Sequence, residues 1–291
     1  MPLIEKAVLI ENRTLVPAPF ITKVFNVTMN WDKEEDQLNY ESSFTIPVLM
    51  YHHFMKGEAS SIITDPEVFK EQLSYLKEQG YTTIMDHDLL AYLTEGILLP
   101  EKPLLITMDD GYTSNYTAAF PILKELNMKA TIYVVVNTVG KLLDKYPHFT
   151  WEEAKEMYDS GLVEIQSHTF DSHKKAKVDG VMKPLLVSPI PHGEKLETEK
   201  EYKERVYNDL SQSKQLIEQH VGNKVVTLSF PYGVSNETAV ELGKKAGYEV
   251  MMTIAPGLNH KEANRFQLLR INVDGHDSGK DIEEHISQFV N

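Results

Sequence analysis

Two carboxylates stand side by side at Asp109 and Asp110, and two imidazoles stand five positions apart at His168 and His173. Together they could hold a divalent cation and leave one carboxylate free as a base. That is the minimum equipment for metal-assisted hydrolysis near neutral pH. Neighbours in an extended strand point to opposite faces. Asp109 and Asp110 can therefore share one site only at a strand end, where Gly111 permits a sharp turn. The plainer reading of Asp-Asp-Gly is a cap or turn with exposed acids. His168 and His173 would lie roughly 140° apart on a helix and on opposite faces of a strand, so they can meet only across a loop; otherwise they are two ordinary surface histidines. Imidazole and carboxylate ligands with an open position suit Zn²⁺, with Co²⁺, Ni²⁺ or Mn²⁺ as replacements. A third segment, Ser229-Phe230-Pro231-Tyr232-Gly233, is a turn after an apolar strand and could aim a backbone N–H at a developing oxyanion.

The elements that must position these groups follow an alternating pattern. Short apolar runs read as strands at Ile46 to Met50, Thr82 to Met85, Pro103 to Met108, Ala130 to Val136, Leu162 to Gln166, Val225 to Phe230, Tyr248 to Thr253 and Gln267 to Ile271. Between them, helical patterns follow the Asp65-Pro66 cap and cover Tyr116 to Leu126, Trp151 to Tyr158, Thr198 to His220, Ala239 to Lys245 and Asp281 to Phe289. Pro121 lies inside the second of these helices, which must begin late or kink there. Strands alternating with helices indicate an α/β protein, a distorted (β/α) barrel of seven or eight strands, with a doubly wound open sheet as the alternative. In either, loops at the carboxyl ends of strands build the site. Asp109-Asp110, His168 to His173 and Pro231-Tyr232 each follow an expected strand directly.

Residues 1–45 differ from the rest: short strands around a short helix, then a polar, acidic linker over Lys33 to Ser43. They form a small α+β appendage to a main domain at residues 46–291. The chain of 291 residues is 42% hydrophobic and 25% charged, enough to bury a full core. Acidic side chains outnumber basic ones, 43 against 29, for a formal net charge of −14, which repels nucleic acid and anionic membranes on average. The absence of cysteine excludes disulfides and thiolate chemistry. No stretch approaches the roughly 20 apolar residues of a membrane span. Met1-Pro2-Leu3 opens no signal-peptide pattern, so the chain is expected to be either cytosolic or a mature form whose export signal has been removed.

Taken in order, Pro47 to Phe54 (with His52-His53), Thr107-Met108-Asp109-Asp110-Gly111-Tyr112, Ser167 to His173 and Phe230-Pro231-Tyr232-Gly233 resemble the polysaccharide deacetylase family, the NodB-homology group of carbohydrate esterase family 4. The resemblance runs from about Ile46 to Val290. The five-residue histidine step is most similar to the branch of poly-N-acetylglucosamine and Bacillus surface deacetylases. The resemblance implies a distorted (β/α) barrel, Asp109 as general base, and Asp110, His168 and His173 as ligands of a divalent metal, zinc first. It further implies the Tyr232 N–H as part of an oxyanion hole. The implied reaction removes N-acetyl groups from an N-acetylglucosamine polysaccharide, outside the cell or at the cell wall, by a monomer. An O-acetyl esterase acting on xylan or another glycan, and a non-catalytic glycan-binding protein, are the alternatives. Two positions depart from the family pattern. Ser229 stands where an arginine usually orients the base, which leaves Arg270 or Lys129 as substitutes. The usual Leu-x-His general acid has no clean match; His276 is the candidate, with His260 behind it. The segment from Asn12 to Asp32 is similar to the stalk module of copper amine oxidases.

Overall fold

Alternation along the longest strand decides where the chemistry points. In the strand Pro103–Asp110, Leu104, Ile106 and Met108 pack in the cluster that also holds helix residues Phe69, Leu73 and Leu210, whereas Leu105 belongs to a second apolar cluster. Successive strand side chains alternate in direction, so Thr107 and Asp109 share the inward face of Leu105. The computed structural model describes residues 8–10, 13–15, 17, 27–32, 37–42, 45–143, 146–193 and 195–290.

The main sheet has eight strands, β1 (Val48–Tyr51), β2 (Thr82–Ile84), β3 (Pro103–Asp110), β4 (Ala130–Val134), β5 (Val163–Ser167), β6 (Thr227–Ser229), β7 (Val250–Met252) and β8 (Ile271–Asn272), in the order β7-β6-β5-β4-β3-β1-β8 with β2 added against β3. Every pairing is parallel. On one edge of β3 lies β1; the opposite edge takes β2 at Pro103 to Leu105 and β4 at Thr107 to Asp110. The sheet curls until Leu268 bridges Met252 and Ile271 pairs with Leu49, which brings its two ends together. This is the distorted barrel expected. The strand expected over Gln267 to Ile271 is shorter and later, because Arg270 turns inward as a buried side chain.

The helices are α1 (Pro66–Glu78), α2 (Asp86–Glu95), α3 (Phe120–Leu126), α4 (Trp151–Asp159), α5 (Glu199–Val221), α6 (Glu237–Lys245) and α7 (Gly279–Gln288). Asp65 caps α1 by accepting from the Glu67 N–H, with Pro66 in the first turn, where its missing N–H costs nothing. Pro121 is likewise tolerated because α3 begins at Phe120; a π turn over Asn115–Ala119 precedes it. Thr198 and Glu201 form a capping box on α5, and Gly222 ends it in a left-handed conformation. Helix α2 was not foreseen.

Near the N-terminus the described strands form two antiparallel hairpins, Val8–Ile10 with Arg13–Leu15 and Val27–Asp32 with Gln37–Ser42. Within the stretch expected as a linker, Lys33 to Ser43, the described residues Gln37–Ser42 are a strand. The expected short helix lies outside the described residues. Among the described residues, no helix is long and apolar enough to cross a membrane.

Candidate active site

Strand β3 delivers Asp109 inward and Asp110 to the rim. Asp110 and Gly111 both turn left-handed, with φ of 75° and 81°. At Gly111 a Cβ would sit 2.9 Å from Val134 Cγ2, so backbone freedom and lack of bulk are both required there. The expected strand-end turn is thus what separates the two acids.

His168 follows β5 directly. Thr169 then takes φ of 78°, an outlier for a β-branched residue. The loop is held from beneath: half-buried Asp209 of α5 accepts from the backbone N–H groups of Phe170 and Asp171 at 3.1 and 2.8 Å. The N–H of Val136 donates to the Thr169 carbonyl, and that of Asn137 to the Phe170 carbonyl. These bonds fold the five-residue step back on itself and bring the two imidazole rings to 4.8 Å. Asp209 was not singled out from the sequence; an acid inside an amphipathic helix carries no signal by itself.

The chemistry of the donor set fits a cation. His168 Nδ1 lies 2.8 Å from the Ser229 carbonyl, which can only accept, so Nδ1 holds the proton and Nε2 presents a lone pair. The Nε2 atoms of His168 and His173 lie 3.7 and 3.4 Å from Asp110 Oδ1. Ligand atoms of all three residues fall within 4.8 Å of one another. Asp110 Oδ1 is buried and has no hydrogen-bond partner among the described residues. Burial, chiefly, pushes the His168 imidazole down to about 4, so it is neutral near pH 7. Lone pairs facing one another repel until a divalent cation coordinates them, and two nitrogens with one oxygen leave a position open for substrate or water.

Asp109 stands apart from this triad as a held carboxylate. Arg270 donates from Nη1 to Oδ1 at 2.7 Å and from Nη2 to Oδ2 at 2.8 Å. The same guanidinium donates to Ser229 Oγ at 2.9 Å, Thr107 Oγ1 at 3.3 Å and the Thr253 carbonyl at 2.8 Å. Burial alone would raise the Asp109 carboxyl. The charge and hydrogen bonds of Arg270 override it and keep the group well below the usual carboxylate range. Of the two substitutes for the missing arginine, Arg270 makes the contact, and Ser229 at the vacated position is small enough to admit it. Beneath the guanidinium lies the Tyr133 ring at 5.6 Å. The Tyr133 hydroxyl donates to both oxygens of buried Asp86, whose carboxyl burial and Glu164 raise to about 7.

Tyr232 takes φ of 59°, and its ring lies 4.6 Å from that of His173. At Gly233 a Cβ would fall 2.2 Å from Ile254 Cγ1, so that turn cannot be moved cheaply. His52 and His53 follow β1 on the other flank of β3. The His52 carbonyl accepts from Asn115 Nδ2 at 2.8 Å, and its Nδ1 is buried without a partner among the described residues. The ring lies within electrostatic reach of Asp109. His276 is exposed, its Nδ1 2.6 Å from Asp274, and His260 pairs with Glu262 at the surface. Neither meets the triad in any described contact. A cavity of about 260 Å³ opens beside Asp110 and His173, walled by Tyr112, Tyr146, His148 and Asn137.

The family profile described as polysaccharide deacetylase matches residues 98–251. YxkH of Bacillus subtilis (strain 168), named as a polysaccharide deacetylase, is 29% identical over 260 residues, covering 88% of this chain and 82% of that protein. The poly-beta-1,6-N-acetyl-D-glucosamine N-deacetylase of Escherichia coli (strain K12) is 33% identical over 214 residues, 68% of this chain; the match spans only 31% of that longer protein. Among solved structures, a de-N-acetylase from Aggregatibacter actinomycetemcomitans superposes with a TM-score of 0.74 at 25% identity, covering 84% of this chain and 100% of that one. The stalk resemblance of the segment from Asn12 to Asp32 finds no support in these comparisons.

Proposed function

The chain belongs to the polysaccharide deacetylase family, and on that premise we propose that it is a hydrolase removing N-acetyl groups from an N-acetylglucosamine polysaccharide and releasing acetate. One observation carries this reading: three lone-pair ligands converge beside a separate carboxylate fixed by Arg270. A divalent cation on Asp110, His168 and His173, zinc first and cobalt, nickel or manganese as replacements, would polarise the amide carbonyl and lower the pKa of a water.

The chain's own groups do the rest. Asp109 takes the proton of the attacking water, its two oxygens oriented by the fork of Arg270. The backbone N–H of Tyr232 donates to the oxygen that becomes negative as the carbonyl carbon turns tetrahedral. Collapse breaks the C–N bond, and a rim imidazole returns a proton to the departing amine. The sequence nominates His276 for that step; the structure favours His52, which flanks Asp109. Tyr112 and Tyr146 offer apolar faces to a sugar ring in the adjoining cavity.

The missing third-motif arginine and the unclear general acid favour a non-catalytic binding protein; the contact of Arg270 with Asp109 weakens the first of these grounds. The setting proposed is the cell surface or its surroundings, where such polymers lie, with a monomer as the working unit. The test is metal content by elemental analysis together with acetate release from chitopentaose, poly-β-1,6-N-acetylglucosamine and acetylxylan. Metal-dependent release from an N-acetylated glycan is expected. Release from acetylxylan alone would move the assignment to O-acetyl esters, and a metal-free protein that binds glycan without turnover would end it.

A further inference from the structure

His173 leads straight into a β-hairpin, Lys175–Val178 paired with Val181–Pro184. It turns at Asp179-Gly180, with φ of 50° and 82°, the left-handed pair that a tight two-residue turn requires. From Lys174 to Lys183 the sequence carries four lysines (Lys174, Lys175, Lys177 and Lys183) against one aspartate, in a chain whose formal charge is −14. The charge is also unspent. Lys174 pairs with Asp171 at 2.6 Å, but Lys177 and Lys183 make no ion pair among the described residues. Lys175 sits over the Tyr232 ring at 4.3 Å, and that same ring lies against His173. An ammonium therefore stands one aromatic ring away from a metal ligand.

Lys175 and Lys177 share one face of their strand, about 7 Å apart. Met182, directly across from Lys177 and on the same face, is 56% exposed. Val178, on the opposite face, is buried, so the lysine face is the one turned outward. The outward face thus presents a cationic row with Met182 and Pro184 across from it, beginning at the metal site. Resting on the reading above, the product of the reaction is a sugar bearing a primary amine, which is protonated near neutral pH. The substrate unit, still acetylated, is neutral.

We propose that this hairpin is a charge filter on the glycan: it accepts acetylated units beside the reacting sugar and repels units that already carry a free amine. Such a filter would space the deacetylated positions along a polymer. Two like charges about 7 Å apart in water cost about threefold in binding. Two lysines facing one ammonium therefore discriminate by about tenfold at low salt. The effect shrinks as the screening length falls from roughly 30 Å at 0.01 M to roughly 3 Å at 1 M.

The experiment measures kcat/KM for acetate release from fully acetylated chitotetraose and from tetramers carrying one glucosamine beside an acetylated unit. Wild-type protein should disfavour one glucosamine-containing isomer by about tenfold, and 1 M salt should erase most of that. The variant Lys175→Gln/Lys177→Gln should lose the preference, and Lys177→Glu alone should reverse part of it. Acetate release by wild type with no discrimination, or discrimination that persists in both variants, would overturn the filter and leave the deacetylase reading standing. The same set is run with β-1,6-linked tetramers, and no release from either linkage would overturn that reading and the filter with it.

Discussion

Replacing Arg270 by methionine tests the central arrangement most severely. Methionine keeps an apolar stem in a fully buried position but removes the charge and all of the donors that reach Asp109, Ser229, Thr107 and Thr253. Asp109 is then a buried carboxylate with Ser229 Oγ at 3.4 Å as its remaining neutral donor. Stripping one partner from a buried ion pair costs roughly 3–5 kcal/mol. At a urea slope of about 3 kcal/mol/M, the unfolding midpoint should fall by about 1–2 M. In the wild type the folded pKa of Asp109 is depressed, so it contributes stability above its unfolded pKa and loses it as pH falls through the folded one. Without Arg270, burial raises that pKa instead, and the buried charge becomes a liability as pH rises. The stability gap between wild type and variant should therefore be wider at pH 7.5 than at pH 4.5. A double-mutant cycle with Asp109→Asn should give a coupling of about 2–3 kcal/mol. A coupling below about 0.5 kcal/mol, or a gap independent of pH, would refute the claim that Arg270 replaces the missing arginine.

Asp109→Asn should keep its bound metal by elemental analysis while acetate release drops about 10²–10⁴-fold; His168→Ala should lose metal and activity together. Because the His168 pKa is lowered to about 4 on folding, the unfolded chain binds more protons below its usual value. Stability of the metal-free protein should fall as pH drops from about 6.5 toward 4, and His168→Gln should flatten that slope in urea titrations. Gly233→Ala adds both a Cβ 2.2 Å from Ile254 and a left-handed strain, so it should lower the melting temperature and turnover together; Tyr232→Gly, which keeps the backbone N–H, should stay within about tenfold of wild type.

The barrel and its rim were legible because their signals are local. β-Branched runs and the Asp65-Pro66 cap each declare an element within a few residues. The proposed metal triad could be named from motif order, but not its geometry. The convergence of His168 and His173 depends on left-handed Thr169 and on Asp209, which acts from a helix some forty positions later. Arg270 could be named only as one of two candidates, since a guanidinium crossing the barrel to reach Asp109 leaves no trace in spacing. His276 matched by position after a late strand, yet its ring turns to Asp274 at the surface. Helix α2 was missed because its N-cap is Met85, which gives none of the Ser, Thr, Asp or Asn signals that mark a helix start.

Asp110, Thr169 and Tyr232 all sit in backbone conformations that glycine would occupy more comfortably. Each strained residue of this kind costs of order 1–3 kcal/mol. A laboratory search for heat-resistant variants would be drawn to these three positions, where relaxation is easiest to gain. At Asp110 the gain would delete a proposed metal ligand; at Thr169 it would slacken the loop that brings the imidazoles together. Thermal robustness and turnover are thus set against each other at a handful of dihedral angles, and breeding for the first alone would erode the second.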